Sequence, residues 1–198
     1  MKHLKLFGLT ALLAASIAIA AASASATSLT GAGGAALGAG TVVALQAQTN
    51  LVMHPPFGAT ECNKSNWSGK TSNSGGAAET VKVSMEAITF SECNMTMTVL
   101  ANGSLEFHTQ GATANNNATL TSNGFELTTE YFGTHCIFKT SNTDIGTVTG
   151  SANTGGNAVL DISATMPRTG GRSGAFCGST AQWTGSFKFT SPSTLDVD

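Results

Sequence analysis

"VKVSMEAITFSEC", residues 81 to 93, decides the fold class of this chain. Val81, Val83, Met85 and Ala87 alternate with Lys82, Ser84 and Glu86, a two-residue period that puts apolar side chains on one face of an extended strand and charged ones on the other. At Ala87-Ile88 the phase slips, and Ile88 and Phe90 then alternate with Thr89 and Ser91. One extra residue in a strand does this, so a bulge is expected there.

The same period returns in "MTMTVLA" (95 to 101), "SLEFH" (104 to 108), "VLDISATM" (159 to 166) and "WTGSFKF" (183 to 189). No segment after residue 26 has a helical period. Asn102-Gly103, Asn123-Gly124 and "GGN" at 155 to 157 separate the runs, and Asn-Gly suits the left-handed torsions of a two-residue hairpin. The expectation is an all-β fold: an antiparallel sandwich or closed barrel of roughly nine or ten short strands with two disulfides, forming one domain over 41–198. Residues 27–40, "TSLTGAGGAALGAG", read as a loose Gly/Ala-rich lead-in. An eight-stranded outer-membrane barrel is the rival, and it needs longer strands and aromatic girdles.

The first 26 residues combine Lys2 and Lys5, an uncharged run from Leu6 to Ala22, and small residues at Ala24-Ser25-Ala26. That is the layout of a secretory signal peptide cleaved after Ala26, and no later stretch is long and apolar enough for a membrane helix. A secreted or extracellular address follows, periplasmic if the source has an outer membrane. Loss of the signal leaves seven Lys and Arg against eleven Asp and Glu, a net charge of −4. Nucleic-acid binding and polybasic membrane attachment are excluded on that balance.

Cys62, Cys93, Cys136 and Cys177 are an even set behind a signal, which reads as two disulfides in an oxidising compartment. None has CxxC spacing, and no zinc site, other metal or cofactor is expected. Locality favours 62 with 93 and 136 with 177. An internal echo accompanies them: Cys62-Trp67-Ser68-Gly69 and Cys177-Trp183-Thr184-Gly185 carry the only two tryptophans. Trp67 and Trp183 are read as core aromatics beside the disulfides, with sugar-stacking platforms as the alternative.

"ECNKSNWSGKTSNSGG", "AITFSEC", "HCIFKTSNTDIGTVTGS" and "DISATMPRTGGRSGAFCGSTAQWTGSF" resemble segments of small secreted four-cysteine all-β proteins of actinobacteria. The similarity covers most of 41–198. It implies export and a β fold, and it brings no activity and no catalytic residue.

Chemistry is sparse. "GGRSGA" lacks the spacing of a nucleophile elbow, so Ser173 reads as a loop serine. His54, His108 and His135 are dispersed; His108 falls on a polar strand face, and His135 is read as a buried partner of a carbonyl or a titrating group near a cleft. Glu61, Glu92, Glu126, Glu130, Asp144 and Asp161 are the carboxylates from which a glycosidase pair would be drawn. Five Asn-x-Ser/Thr sequons begin at Asn63, Asn66, Asn94, Asn102 and Asn117 and are ascribed to composition. In "PRTGGRSGAFCG" (167 to 178), Pro167 is expected to end the preceding strand, so Arg168 and Arg172 fall in a glycine-rich loop. Those arginines are read as partners of nearby carboxylates, with an anion-holding loop as the alternative.

The functional expectation is an exported, non-enzymatic β-domain protein that binds a cell-surface or extracellular ligand, a polymer or glycan in particular. The alternatives are an exported polysaccharide hydrolase, a carrier of a small apolar molecule, and an ice- or crystal-surface binder suggested by Thr96 and Thr98.

Overall fold

The alternation at 81–93 is realised as one long strand with its bulge. The computed structural model describes residues 27–56, 58–76, 79–110, 116–131, 133–171 and 177–198. The signal segment 1–26 therefore lies outside the described residues, as do Arg172 and Ser173. The strands are β1 (Leu29–Thr30), β2 (Val42–Ala47), β3 (Leu51–His54), β4 (Thr60–Thr71), β5 (Val81–Cys93), β6 (Met97–Ala101) and β7 (Ser104–Thr109). They continue with β8 (Asn117–Asn123), β9 (Glu126–Tyr131), β10 (Thr134–Lys139), β11 (Thr143–Thr149), β12 (Val159–Gly171), β13 (Thr180–Ser191) and β14 (Asp196–Val197), with an α-helical turn, α1 (Ser151–Thr154), and a 3-10 turn at Ala32–Gly34.

Fourteen strands exceed the expected nine or ten because several staves of the wall are each built from two strands in series. Both β2 and β3 lie between β4 and β13. Likewise β6 and β7 run along β9 and β8, which run along β10 and β11, which in turn share one edge of β12. Counted this way the wall has eight staves in up-and-down order, and the last, β13, pairs both with β12 and back to β2 and β3. The choice between sandwich and barrel thus falls to a closed antiparallel barrel.

A crease crosses the wall where the staves break. It starts at the β4–β5 register shift, where Ser68 faces Ala87 and Gly69 faces Met85, leaving Glu86 as the extra residue of the expected bulge. It continues through Gly103 (φ 64°) and Gly124 (φ 76°), then through Asn142 (φ 47°). Met85 N–H donates to Gly103 O at 3.1 Å and Gly124 N–H to Thr140 O at 3.0 Å, so these points are neighbours across the sheet. Asn102-Gly103 and Asn123-Gly124 are therefore not hairpins, contrary to expectation. Their left-handed glycines bend staves that carry on in the same direction, because the strands on either side keep the same neighbouring stave. Below the crease β5 pairs with β4 alone, and a slit of about 290 Å³ opens toward β6, lined by Ile88, Val99 and the half-exposed Leu100.

The interior is apolar and aromatic. Trp67 lies 5.5 Å from Trp183 and 4.5 Å from Phe187 between ring centroids, and Phe125 stacks on Trp183 at 5.5 Å. Outside stand Lys82, Ser84, Glu86 and their counterparts, the reverse of a membrane barrel, which turns an apolar band outward. Each end is closed differently. At the upper end β1 pairs with β14 and buries Leu29, Leu195 and Val197 completely. Residues 27–40 are thus tied down where a loose lead-in was expected: the two backbones exchange bonds at Ser28 and Asp198, and β1 covers core that is otherwise wet. At the lower end lie both disulfides, Cys62–Cys93 and Cys136–Cys177.

Candidate functional site

Most of the residues singled out in the sequence do not converge. Trp67 and Trp183 are 2% and 1% exposed, so their faces meet each other and Phe187, not a sugar. Together with Phe125 they occupy the middle of the barrel, where a carrier of this architecture holds its ligand. Glu61 and Glu92 are brought to adjacent strands by the Cys62–Cys93 bond, yet both are exposed, and the Glu92 carboxylate is held by Lys64. Glu126 pairs with Lys139 at 3.3 Å, and Asp144 accepts a hydrogen bond from Thr121 Oγ1 at 2.6 Å. His135 is exposed on β10 opposite Glu130, not buried; His108 sits on the outer face, 3.8 Å from Glu106. No group of three or more His, Cys, Asp or Glu capable of holding a metal ion occurs among the described residues.

Pro167 does not end the strand: it pairs with Thr180, and β12 runs on to Gly171. Arg168 N–H donates to Ser179 O at 2.8 Å on the β13 side, so by alternation the Pro167 nitrogen faces the opposite edge. There β11 pairing has stopped at Ile162 and β10 pairing starts only at Arg168. No ladder donor is wanted at that gap, which is why proline is tolerated inside the strand. Arg168 is a half-buried strand residue in register with Phe138, not part of a loop, and Arg172 lies outside the described residues.

What the fold does assemble is a groove on the upper outer wall. Its floor is β13, where Lys188 faces outward between the fully buried Phe187 and Phe189. One wall is the excursion between β2 and β3. Here the chain from β2 to β3 holds two more residues than the stretch of β13 it faces, since Ala47 faces Phe187 and Val52 already faces Thr184. Gln48 N–H donates to Ser186 O at 2.8 Å, and Thr49 Oγ1 accepts from Ser186 N–H at 2.9 Å. The other wall is the turn after α1. Asn157 Nδ2 donates to Phe189 O at 2.7 Å and Phe189 N–H to Ala158 O at 2.9 Å, while Thr154 Oγ1 donates to Asn157 O at 2.9 Å.

One wall is therefore anchored to Ser186 and the other to Phe189, three residues apart on β13, and the groove is set before any ligand arrives. The part over Lys188 has a volume of about 540 Å³ and is lined also by Ala47, Gln48, Thr154, Gly156, Asn157 and Val159. Gly156 and Asn157 also line a second hollow of about 480 Å³ beside Ser193, Thr194 and Asp196. Asp196 Oδ1 is fixed by Asn116 Nδ2 at 2.7 Å and Ala152 N–H at 2.8 Å. Neutral amides, hydroxyls and open glycine backbone dominate the lining, with Lys188 and Asp196 as its charged side chains, which suits hydrogen bonding to a polyhydroxylated ligand.

Sequence reading missed Lys188, Gln48 and Asn157. "FKF" registers only as a polar-face residue between two core positions, and the wall at Thr49 meets Ser186 across 137 residues. Comparison with known proteins returns nothing similar: no family model, no curated protein and no solved structure matches this chain.

Proposed function

We propose that this chain is an exported binding protein without catalytic function, and that it engages a cell-surface or extracellular polymer, a glycan foremost, through the outer groove and the loops of the upper rim. One observation carries the reading: the interior is filled by the Trp67, Trp183, Phe125 and Phe187 cluster, while a pre-anchored polar groove stands open outside. Those four rings occupy the place where a barrel of this kind would hold a ligand, so recognition falls to its surface. The signal-like first 26 residues and the two disulfides support export.

The test is retention of the exported protein on a glycan array and on isolated cell-wall material. Retention is expected, and replacing Asn157 by Ala, which removes the side-chain tie of the α1 turn to Phe189 O and one lining amide, is expected to weaken it several-fold. Absence of signal on both supports overturns the reading.

A further inference from the structure

Four of the five described lysines are neutralised across strands: Lys64 by Glu92, Lys70 by Glu86 at 2.8 Å, Lys82 by Glu106 at 3.2 Å and Lys139 by Glu126 at 3.3 Å. Lys188 is the described lysine with no carboxylate within ion-pairing distance, and its register neighbours are Gln46 and Val159. It is also the floor of the groove. Extra residues in a strand weaken pairing unless they place something, and they recur beside binding sites. Here the excursion at 48–50 sets Gln48 beside this one ammonium, and the α1 turn sets Thr154 and Asn157 on its other side.

We propose that Lys188 seats the anionic group of a sparsely charged acidic saccharide, with Gln48, Thr154 and Asn157 hydrogen-bonding the hydroxyls of the same and the adjoining sugar. The inference rests on the groove being the binding surface. A compact ammonium takes a carboxylate or phosphate as a point charge, without demanding a particular face. The chain carries a formal net charge of −2, so its overall field opposes dense polyanions and leaves one local contact to select an isolated acid group on a neutral chain. The hollow over Lys188 and the second one that shares Gly156 and Asn157 with it, about 540 and 480 Å³, together have room for more than one sugar ring, with Asp196 and Thr194 in the second available to hydroxyls.

The experiment titrates the exported protein with a glucuronate-containing disaccharide, its neutral methyl ester, and the corresponding sugar phosphate, following backbone amides by NMR. The expected result is movement of the Gly155 and Gly156 amides with either acidic probe, and binding weakened about tenfold or more in Lys188→Gln, the size of one lost charge-assisted hydrogen bond. Lys188→Arg is expected to keep most of the affinity. The thermal midpoint of Lys188→Gln should equal that of the parent, since no ion pair is lost, which separates binding from folding. If only the phosphate probe acts, the seat holds and its natural source is a phosphorylated polymer. An ester that binds as well as the acid, an unaffected Lys188→Gln, or still amides with both acidic probes overturns the assignment. Still amides alongside retention on the glycan array leave the protein a glycan binder and remove only the role of Lys188; failure of both removes the wider reading too.

Discussion

The indole N–H of Trp67 donates to Ser65 Oγ at 3.0 Å, and that hydroxyl donates to Thr89 O at 2.7 Å. Ser65 is 1% exposed, so no bulk water reaches this relay. Ser65→Ala removes the acceptor and leaves a buried indole N–H without a partner, which costs about 1–3 kcal/mol. In urea this appears as a lower midpoint with an unchanged slope, because no less surface is exposed on unfolding. An unchanged midpoint would mean that the indole finds another acceptor. The prediction is confined to one side chain because Trp67 also touches Phe187 and Trp183, and those contacts survive the substitution.

At the scale of elements the lower half of the wall is held unevenly. Strand β10 meets β12 over only three residue pairs, Cys136 with Gly171, Ile137 with Gly170 and Phe138 with Arg168, whereas β4 and β5 pair along nearly their whole length. The Cys136–Cys177 bond therefore ties β10 to the start of β13 where the ladder is thin. Replacing both cysteines by Ala is expected to cost about 2–5 kcal/mol. It should also speed amide exchange in β6, β9 and β10 ahead of β4 and β5. Uniform acceleration across all staves would show a single cooperative barrel instead. The same elements show what a sequence can disclose. Alternation at 81–93 and the phase slip were legible because strand faces and bulges are properties of neighbouring residues. The left-handed glycines at 103 and 124 were legible as torsions, but whether the chain reverses there is decided by which staves lie on either side. Pro167 announced a missing donor, and only the gap between β10 and β11 makes that harmless. The groove was not legible at all, since its walls meet over β13 from distant parts of the chain.

For the molecule as a whole, the upper cap is its most concentrated dependence. Leu195 N–H donates to Ser151 Oγ at 2.9 Å, Ser151 N–H to Leu195 O at 2.8 Å, and Val197 faces Leu29 across the β1–β14 pair. Deleting residues 195–198 removes two fully buried side chains and uncovers a third, Leu29. At about 1.5–3 kcal/mol for each side chain the loss is on the order of 5 kcal/mol. Calorimetry should then show a midpoint lower by roughly 10 °C or more for a domain of this size. A fall of only about 2 °C, the equivalent of roughly 1 kcal/mol, would demote the cap to decoration. The β1–β14 pairing has a further consequence. Every stave adjoins its predecessor and successor, the last adjoins the first, and residues 29 and 197 sit side by side. Seen as a graph of contacts, the protein is a wheel without a privileged spoke. A short linker from residue 198 back to residue 28 would let synthesis begin at any rim turn, and the wheel would come out the same.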